Sequence, residues 1–494
     1  MSNKKIYSNS LAQIAGKVMT ALISIFLIKI ISGLGLEAYG IYGKVYNYLA
    51  IFAVLADFGL YTITVREISK HQDDPKMVQK ISGNILCLRT ISALIIIVIT
   101  LVGAFFLPGY HSLALLISIF IVGLFTLLGL VNSSMMSYLQ AILKTEFSFF
   151  ATTAGKLLTF ILILLAVYGF FPYHPSLGPE YQMIWIFSAG LAGNLLMTAM
   201  TWWYANKQQK VIFAWDSDFI KKTLKETLPY GIALFLGVIF FKVDIFLLSV
   251  MEPENIADTV TGLYQLPLKI VDVGMLYGTV FLNSLLPVLS PAIKEKQHTK
   301  VLTLTSKGFE ILTSFGIGIA VFLFFYAFEI ISLLSRSEIA NEVIYGHTAV
   351  DVLAIVSWIF LFYFVGSLAN FILIARGEQS KLLVINSVLA SVNIIGNILL
   401  IPHFHFMGAA GVTLFTQILF FGIMWYLVRN SFENKKNITW MLAFLIVSLF
   451  GVYISRYLAD GIFPTSELGQ LLFGAGFFGI WFFGSWFLLR KIKF

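Results

Sequence analysis

Runs of about 20 mainly apolar residues recur along this chain from end to end, and each is long enough for one helical crossing of a bilayer. Fourteen such runs lie at 10–32, 41–63, 82–107, 112–140, 147–170, 181–205, 228–251, 261–289, 308–334, 348–373, 382–401, 408–428, 438–458 and 468–489. In lipid no water is present to satisfy backbone N–H and C=O groups, so runs of this length must fold as helices. The expected fold is all-α, a polytopic membrane protein with about 14 transmembrane helices. Only 12% of the 494 residues are charged, against about 25% in soluble domains. No block of the sequence is polar enough to form a soluble domain.

The connecting loops orient these spans. With the N-terminus in the cytoplasm, 24 of the 33 Lys and Arg fall on inner segments, eight lie within spans, and Arg336 alone lies on an outer loop. Positive residues stay inside, so both termini are expected in the cytoplasm. The largest inner loop, about 206–227, separates six spans from eight. Its DSDFIKKTLKETLP reads as an amphipathic interfacial segment, with Pro229 opening the next span. The expected organisation is an N-lobe at 1–206, a cytoplasmic linker at 207–227, a C-lobe at 228–429 and two C-terminal helices at 430–494. Two lobes of six spans share one orientation and are related by an axis along the membrane normal. No small-residue cleavage site follows the first run, so no cleavable signal peptide is expected.

Several chemistries lack their motifs. GLEAYGIYGK is a near miss of a P-loop, with Ile41 where the lysine belongs, and is expected on an outer loop. HExxH, GxSxG and zinc spacings are missing, and Cys87 has no cysteine to pair with. His403 and His405, in IPHFHF, alternate along an expected extended loop and point apart, which disfavours a shared metal. Neither a cofactor nor a metal is expected. The net charge of +8 is scattered over short loops rather than gathered on one domain, so no nucleic-acid partner is expected either.

Charges inside the spans carry the functional signal. Each costs about 2.5–3.5 kcal/mol to place at a helix centre, and by default it faces a cavity or a partner. On the first span Ser10, Gln13, Lys17, Thr20 and Ser24 fall within about 80° of arc, a polar stripe on an apolar helix. Lys29 lies off that face near the outer end and suits snorkelling. Thr152, Lys156 and Thr159 repeat the device on the fifth span. Arg89 lies deep in the third span, and Asp57 lies near the inner end of the second. Lys242 and Asp244 are mid-span, point about 160° apart and cannot pair with each other. On the eighth span Gln265, Lys269, Asp272, Thr279 and Asn283 share a face, and Lys269 and Asp272 are spaced to pair. Asn386, Asn393 and Asn397 share a face of the eleventh span, while Glu310 and Asp351 lie near span ends. Lys17, Arg89, Lys156, Lys242 and Lys269 are thus candidate substrate cations. Asp57, Asp244 and Asp272 are candidates for a coupling H⁺ or Na⁺. A lumen lined by cations and lacking a catalytic constellation suits an anionic solute, with phosphate the natural guess.

Motif order then points to a family. ISGLGLEAYGIYGKVYNYLAIFAVLADFGLYTITVREIS resembles the first hairpin of the polysaccharide-exporter family, the Wzx-type O-antigen and repeat-unit flippases. That pattern, LG-x-x-x-(Y/F)-G, then D-(F/L)-G and R-x-(I/L)-(S/A), is carried here by Leu34, Gly35, Tyr39, Gly40, Asp57, Phe58, Gly59, Arg66 and Ser69. LPYGIALFLGVIFFKVDIFLL resembles the family's seventh span, with Pro229 and Asp244, and LPVLSPAIK the end of its eighth. IPHFHFMGAAGVTLFTQ is similar to P-x-x-G-x-x-GAA-x-x-T, with His405 where glycine is usual. The resemblance implies a fold like the MATE drug transporters and the lipid II flippase MurJ: two six-helix lobes around a V-shaped cavity, working by alternating access. It implies an undecaprenyl-pyrophosphate-linked oligosaccharide as substrate, flipped for O-antigen, capsule or exopolysaccharide synthesis. Membrane lipids and other polysaccharide-assembly membrane proteins are the partners it implies. A cation-coupled multidrug exporter and a lipid II flippase are the alternatives on the same fold. A membrane polymerase or ligase needs a large external loop, and none here exceeds about fifteen residues, fewer than the ~20 of a single span.

Overall fold

The computed structural model describes residues 19–20, 22–71, 73–142, 144–378, 380–432 and 434–491. Helices α1 (Leu22–Ser32), α2 (Leu36–Asp57), α3 (Leu60–Lys70), α4 (Pro75–Ala104), α5 (Leu113–Ala141), α6 (Thr145–Leu164), α7 (Pro179–Gln208), α8 (Ser217–Met251) and α9 (Glu254–Lys294) form the first part of the chain. Then come α10 (His298–Phe325), α11 (Ala327–Leu334), α12 (Ser337–Ala340), α13 (Ala349–Val356), α14 (Ile359–Ala375), α15 (Ser380–Val428), α16 (Asn434–Ile462) and α17 (Glu467–Lys491). The protein is all-α: among the described residues the only β pairing is an isolated bridge between Ile344 and His347.

Eleven helices among the described residues are long and apolar enough to cross a membrane. Three features separate that number from the fourteen runs. The first run is only partly described. The second is α2, α3 and a break between them at Phe58 and Gly59, both at positive φ. The eleventh and twelfth runs form α15, continuous except at His405 (φ 52°, ψ −139°). Two loop expectations are corrected here. GLEAYGIYGK lies almost wholly in the first turns of α2, because Gly35 starts the helix at Leu36. IPHFHF is helical on both sides of His405 rather than extended. Apolar sequence at membrane depth has no better way to satisfy its backbone.

Side chains finish the helix ends. Asp74 accepts from the N–H groups of Lys76 and Met77 ahead of Pro75, and Ser112 accepts from Leu115 N. Asp351 and Thr348 form a capping box that starts α13.

The chain forms two compact units, Met1–Gly262 and Leu263–Phe494. The expected lobe boundary lies earlier, at 207–227. The difference arises because α8 packs along α2 and the first turns of α9 close on α2. A Cβ on Gly40 would lie 1.6 Å from the Asp258 carbonyl oxygen, and one on Gly262 would lie 2.0 Å from that of Leu36. Only glycine permits two helix backbones to approach this closely. The linker before α8 docks on α4: Asp216 N donates to Asn84 Oδ1 (2.5 Å), and Lys80 pairs with the Asp216 carboxylate at 2.6 Å. That hydrogen bond from Lys80 holds the Asp216 carboxyl below the usual carboxylate range.

In the second unit α10, α14 and α16 pack together, and α16 pairs with α17. Arg456 of α16 reaches the buried Glu329 at 2.5 Å and stands over the Tyr326 ring, 5.3 Å from its centroid.

Candidate functional site

The residues singled out by charge take different places. Lys17, with Ser10 and Gln13 of its stripe, lies outside the described residues. The described part of that face continues along the helix: Leu27, about 20° around it from Thr20, lines a cavity in the first unit.

Lys156 lines the same cavity, whose volume is about 190 Å³. Five helices build it. Tyr42 and Tyr46 come from α2, Phe125, Gly129 and Asn132 from α5, Lys156 and Thr159 from α6, and Gly190, Gly193 and Asn194 from α7. The i, i+3 spacing that put Lys156 and Thr159 on one stripe delivers both side chains to this wall. Thr159 satisfies its own hydroxyl on the Gly155 carbonyl at 3.1 Å. Among the described residues no carboxylate pairs with Lys156, and none lines the cavity.

Part of the lining is aromatic. Tyr42 and Tyr46, four residues apart, have ring centroids 4.7 Å apart. Phe187 stacks on Tyr42 at 5.8 Å, and Phe125 meets Tyr46 edge-on at 5.9 Å. Asn132 and Asn194, also in the lining, are buried, 3% and 4% exposed. The Asn194 Nδ2 donates to the Phe125 carbonyl at 2.7 Å and the Asn132 Nδ2 contacts Met136 Sδ at 3.2 Å. The Oδ1 of each amide has no hydrogen-bond partner among the described residues.

Arg89 is not in this cavity. It is fully buried, donating from Nη2 to Asp57 Oδ1 at 2.6 Å and from Nη1 to Ser134 at 3.0 Å. The pairing has a local cause. Asp57 is the last residue of α2, where the helix dipole disfavours a negative charge, and the chain then breaks at Phe58. The arginine neutralises the carboxylate at that break. Sequence alone assigns Arg89 and Asp57 to separate roles; the structure brings them together.

Lys242 is half-buried and Asp244 buried on α8. Lys269 and Asp272 pair along α9 at 3.6 Å and are both partly exposed.

A second charged cluster lies outside the residues that sequence reasoning singled out. The buried Lys44 of α2 donates to Asp258 at 2.9 Å and to the Gly109 carbonyl at 2.6 Å, and stands 4.7 Å from the Tyr110 ring centroid. Glu254 accepts from Gly109 N at 3.0 Å. Its signal was available, since Lys44 is an intramembrane lysine. The cavity amides also had one, because Asn132 and Asn194 are carboxamides in mid-span.

The fold that carries these residues is a known architecture. No curated protein matches this sequence. Among solved structures, the lipid II flippase MurJ in an inward closed conformation is similar, with a TM-score of 0.71 and 15% identity over 99% of this chain and 100% of that one. An inward-facing MATE family multidrug resistance transporter of the MOP superfamily has a TM-score of 0.67 and 15% identity, covering 85% of this chain and 98% of its own. A MOP superfamily transporter from Pyrococcus furiosus, described as having a binding pocket of reversed polarity, has a TM-score of 0.58 at 15% identity over 87% and 96%. At this identity the likeness establishes the fold, that of multi-pass MOP superfamily transporters. The family model for polysaccharide biosynthesis proteins matches residues 2–295, more than half of the chain, and this protein belongs to that family.

Proposed function

We propose that this protein is a flippase that moves an undecaprenyl-pyrophosphate-linked oligosaccharide across the inner membrane by alternating access, with both termini in the cytoplasm. The observation that carries this reading is Lys156, an intramembrane lysine beside a cavity with no carboxylate partner among the described residues. A cation kept at membrane depth without a partner is costly, and an anionic substrate offsets that cost on arrival. The aromatic wall and the amides beside it suit the sugar part of such a substrate, while its lipid tail remains in the bilayer. Membership of a polysaccharide biosynthesis family supports the substrate class. We read the protein as a transporter rather than an enzyme, which the flippase and transporters that share its fold support.

The carboxylates Asp244 and Asp272 remain candidates for a coupling H⁺ or Na⁺, and Lys17, Lys242 and Lys269 remain candidates for substrate contact. Arg89 and Asp57 we assign instead to each other. A drug exporter on the same fold extrudes cations and needs an acidic site; the cavity here presents a lysine.

Deleting the gene and analysing surface polysaccharide and lipid-linked repeat units tests the proposal. Loss of polymer with accumulation of repeat units is the expected result. Unchanged polymer, or raised resistance to cationic dyes on expression as the only phenotype, would overturn it.

A further inference from the structure

In the second unit α10 and α17 leave an apolar groove between them, about 270 Å³ in volume. Phe315, Gly318 and Phe322 line it from α10, and Phe478, Gly479 and Phe483 from α17. The groove is open to its surroundings: Phe483 is 51% exposed, and Ala475, also in the lining, is exposed. A Cβ on Gly479 would meet nothing within 4 Å, so protein leaves this part of the groove unfilled. In a bilayer an open apolar crevice left empty would forfeit dispersion contacts, so an acyl chain fills it. That much holds for any such crevice. The charges at its end make this one selective.

The groove continues along both helices to a pair of cations. On α17, Gly479, Phe483, Trp486 and Arg490 fall within about 60° of arc, and Arg490 stands about 10 Å beyond Phe483. On α10, Lys307 falls within about 80° of arc with Phe315, Gly318 and Phe322. Arg490 lies over the Trp486 ring, 4.4 Å from its centroid. Its one charged neighbour among the described residues is Glu310, at 3.9 Å, too long for a hydrogen bond. Lys307 is exposed and, among the described residues, in no ion pair. Two cations therefore face one carboxylate, and the cluster keeps one net positive charge. Apolar groove, indole and guanidinium follow one another in the order of a lipid's own parts, from acyl chain through the interface to the head. This end of both helices is the one expected in the cytoplasm, the side where anionic lipids give the membrane surface its negative potential.

We propose that the α10–α17 groove binds an anionic phospholipid of the inner leaflet, with one acyl chain along Gly318 and Gly479 and its phosphate between Arg490 and Lys307. Basic pockets between membrane helices on this side select such heads. A zwitterionic head brings a cation of its own to a cluster that is already positive. One net charge matches a phosphodiester, whereas the diphosphate of a carrier lipid carries several. No residue of this site belongs to the cavity at Lys156, and the site does not depend on what the protein transports.

The test uses the full-length protein in lipid nanodiscs, with phosphatidylglycerol and phosphatidylcholine that carry the same diazirine-bearing acyl chain. Light-driven labelling of residues 315–323 and 475–483 is mapped by peptide mass spectrometry. Phosphatidylglycerol should label them about fivefold more than phosphatidylcholine, the preference that one net cation near the surface supports. Lys307→Gln, at an exposed position, should bring the two lipids to parity. Adding Arg490→Gln leaves Glu310 alone and should reverse the preference. Gly479→Leu places its Cβ where no atom lies, fills the groove and should cut labelling by both lipids several-fold.

Equal labelling by the two lipids in the wild-type protein would overturn the proposal, leaving a crevice for ordinary lipid. So would a preference unmoved by Lys307→Gln, or labelling untouched by Gly479→Leu. Displacement of phosphatidylglycerol by an equimolar polyprenyl phosphate would assign the groove to the carrier lipid and overturn the phospholipid reading. All of these outcomes are read on purified protein, so the flippase reading, which polymer export tests, stands or falls separately.

Discussion

Arg89 and Lys156 both lie in membrane-spanning helices of the first unit, and their surroundings could hardly differ more. Arg89 has Asp57 at 2.6 Å and Ser134 at 3.0 Å and is sealed from solvent. Lys156 has no carboxylate partner among the described residues and lines a cavity. From sequence the two carry the same signal, one cation several residues into an apolar helix. What separates them is the helix across from each: α2 ends in Asp57 opposite Arg89, while α7 offers Gly193 and Asn194 near Lys156. On our reading the partner, not the depth of a charge, separates a paired arginine from a lysine proposed to meet substrate.

The largest effect should come from breaking the arginine's pair. Arg89→Met leaves Asp57 without its partner at a helix C-terminus. Losing one member of a fully buried pair costs about 3–5 kcal/mol, and with Asp57 26% exposed the loss should fall at or below the lower end of that range. Thermal unfolding in detergent and the yield of folded protein would register it. The double variant Asp57→Leu with Arg89→Met removes both charges and should regain most of that loss. If the double variant is as unstable as the single, the pair is not what holds this break.

The cavity lysine should behave in the opposite way. Lys156→Ala removes no pair and takes away an unpartnered intramembrane charge, so stability should be unchanged or raised, by at most about 2.5–3.5 kcal/mol. Losing one charge-assisted contact to substrate, about 2 kcal/mol, should slow export about thirtyfold, and Lys156→Arg should retain part of it. Export of polymer at the normal rate in Lys156→Ala would place Lys156 with the structural charges.

Much of the fold was legible in the sequence, because hydropathy and loop charge act on one helix at a time. The motif residues were legible too, but the structure gives them architectural work. Gly40 permits the contact with α9, Asp57 and Phe58 mark the break in α2, and His405 occupies a backbone turn at φ 52°. The cavity belongs to no motif. Tyr42, Tyr46, Asn132 and Asn194 come from three helices, and only their packing brings them together. The Lys44–Asp258 pair spans 214 positions and was hidden for the same reason. Periodicity assigns a residue to a face but does not say what stands opposite.

His405 offers a smaller test of that architectural reading. The family pattern has glycine there, and the observed backbone is one that L side chains resist. The ring stacks on Tyr345 with centroids 3.4 Å apart, worth about 0.5–1.5 kcal/mol. His405→Gly and His405→Ala lose the same side-chain contacts, and only glycine also relieves the backbone. The glycine variant should therefore be more stable than the alanine variant by about 1–2 kcal/mol, read as the gap between their thermal midpoints. Equal midpoints would mean that the turn relaxes when the imidazole is removed.

Lys269 and Asp272 fall between the two extremes. They pair at 3.6 Å, but the side chains are 27% and 39% exposed, and exposed pairs contribute about 0.2–1 kcal/mol. Loss of this pairing alone should therefore shift the thermal midpoint little in Lys269→Gln or Asp272→Asn. In Arg89 variants a transport defect is confounded with unfolding, whereas at α9 a variant whose midpoint is unchanged ties its defect to transport. A large export loss in Lys269→Gln alone would move Lys269 to the side of Lys156, as a substrate cation. A loss in Asp272→Asn alone, sensitive to the Na⁺ or H⁺ gradient, would mark the carboxylate as the coupling site. Normal export in both would make the two charges structural, as Arg89 and Asp57 are, at a much lower energy.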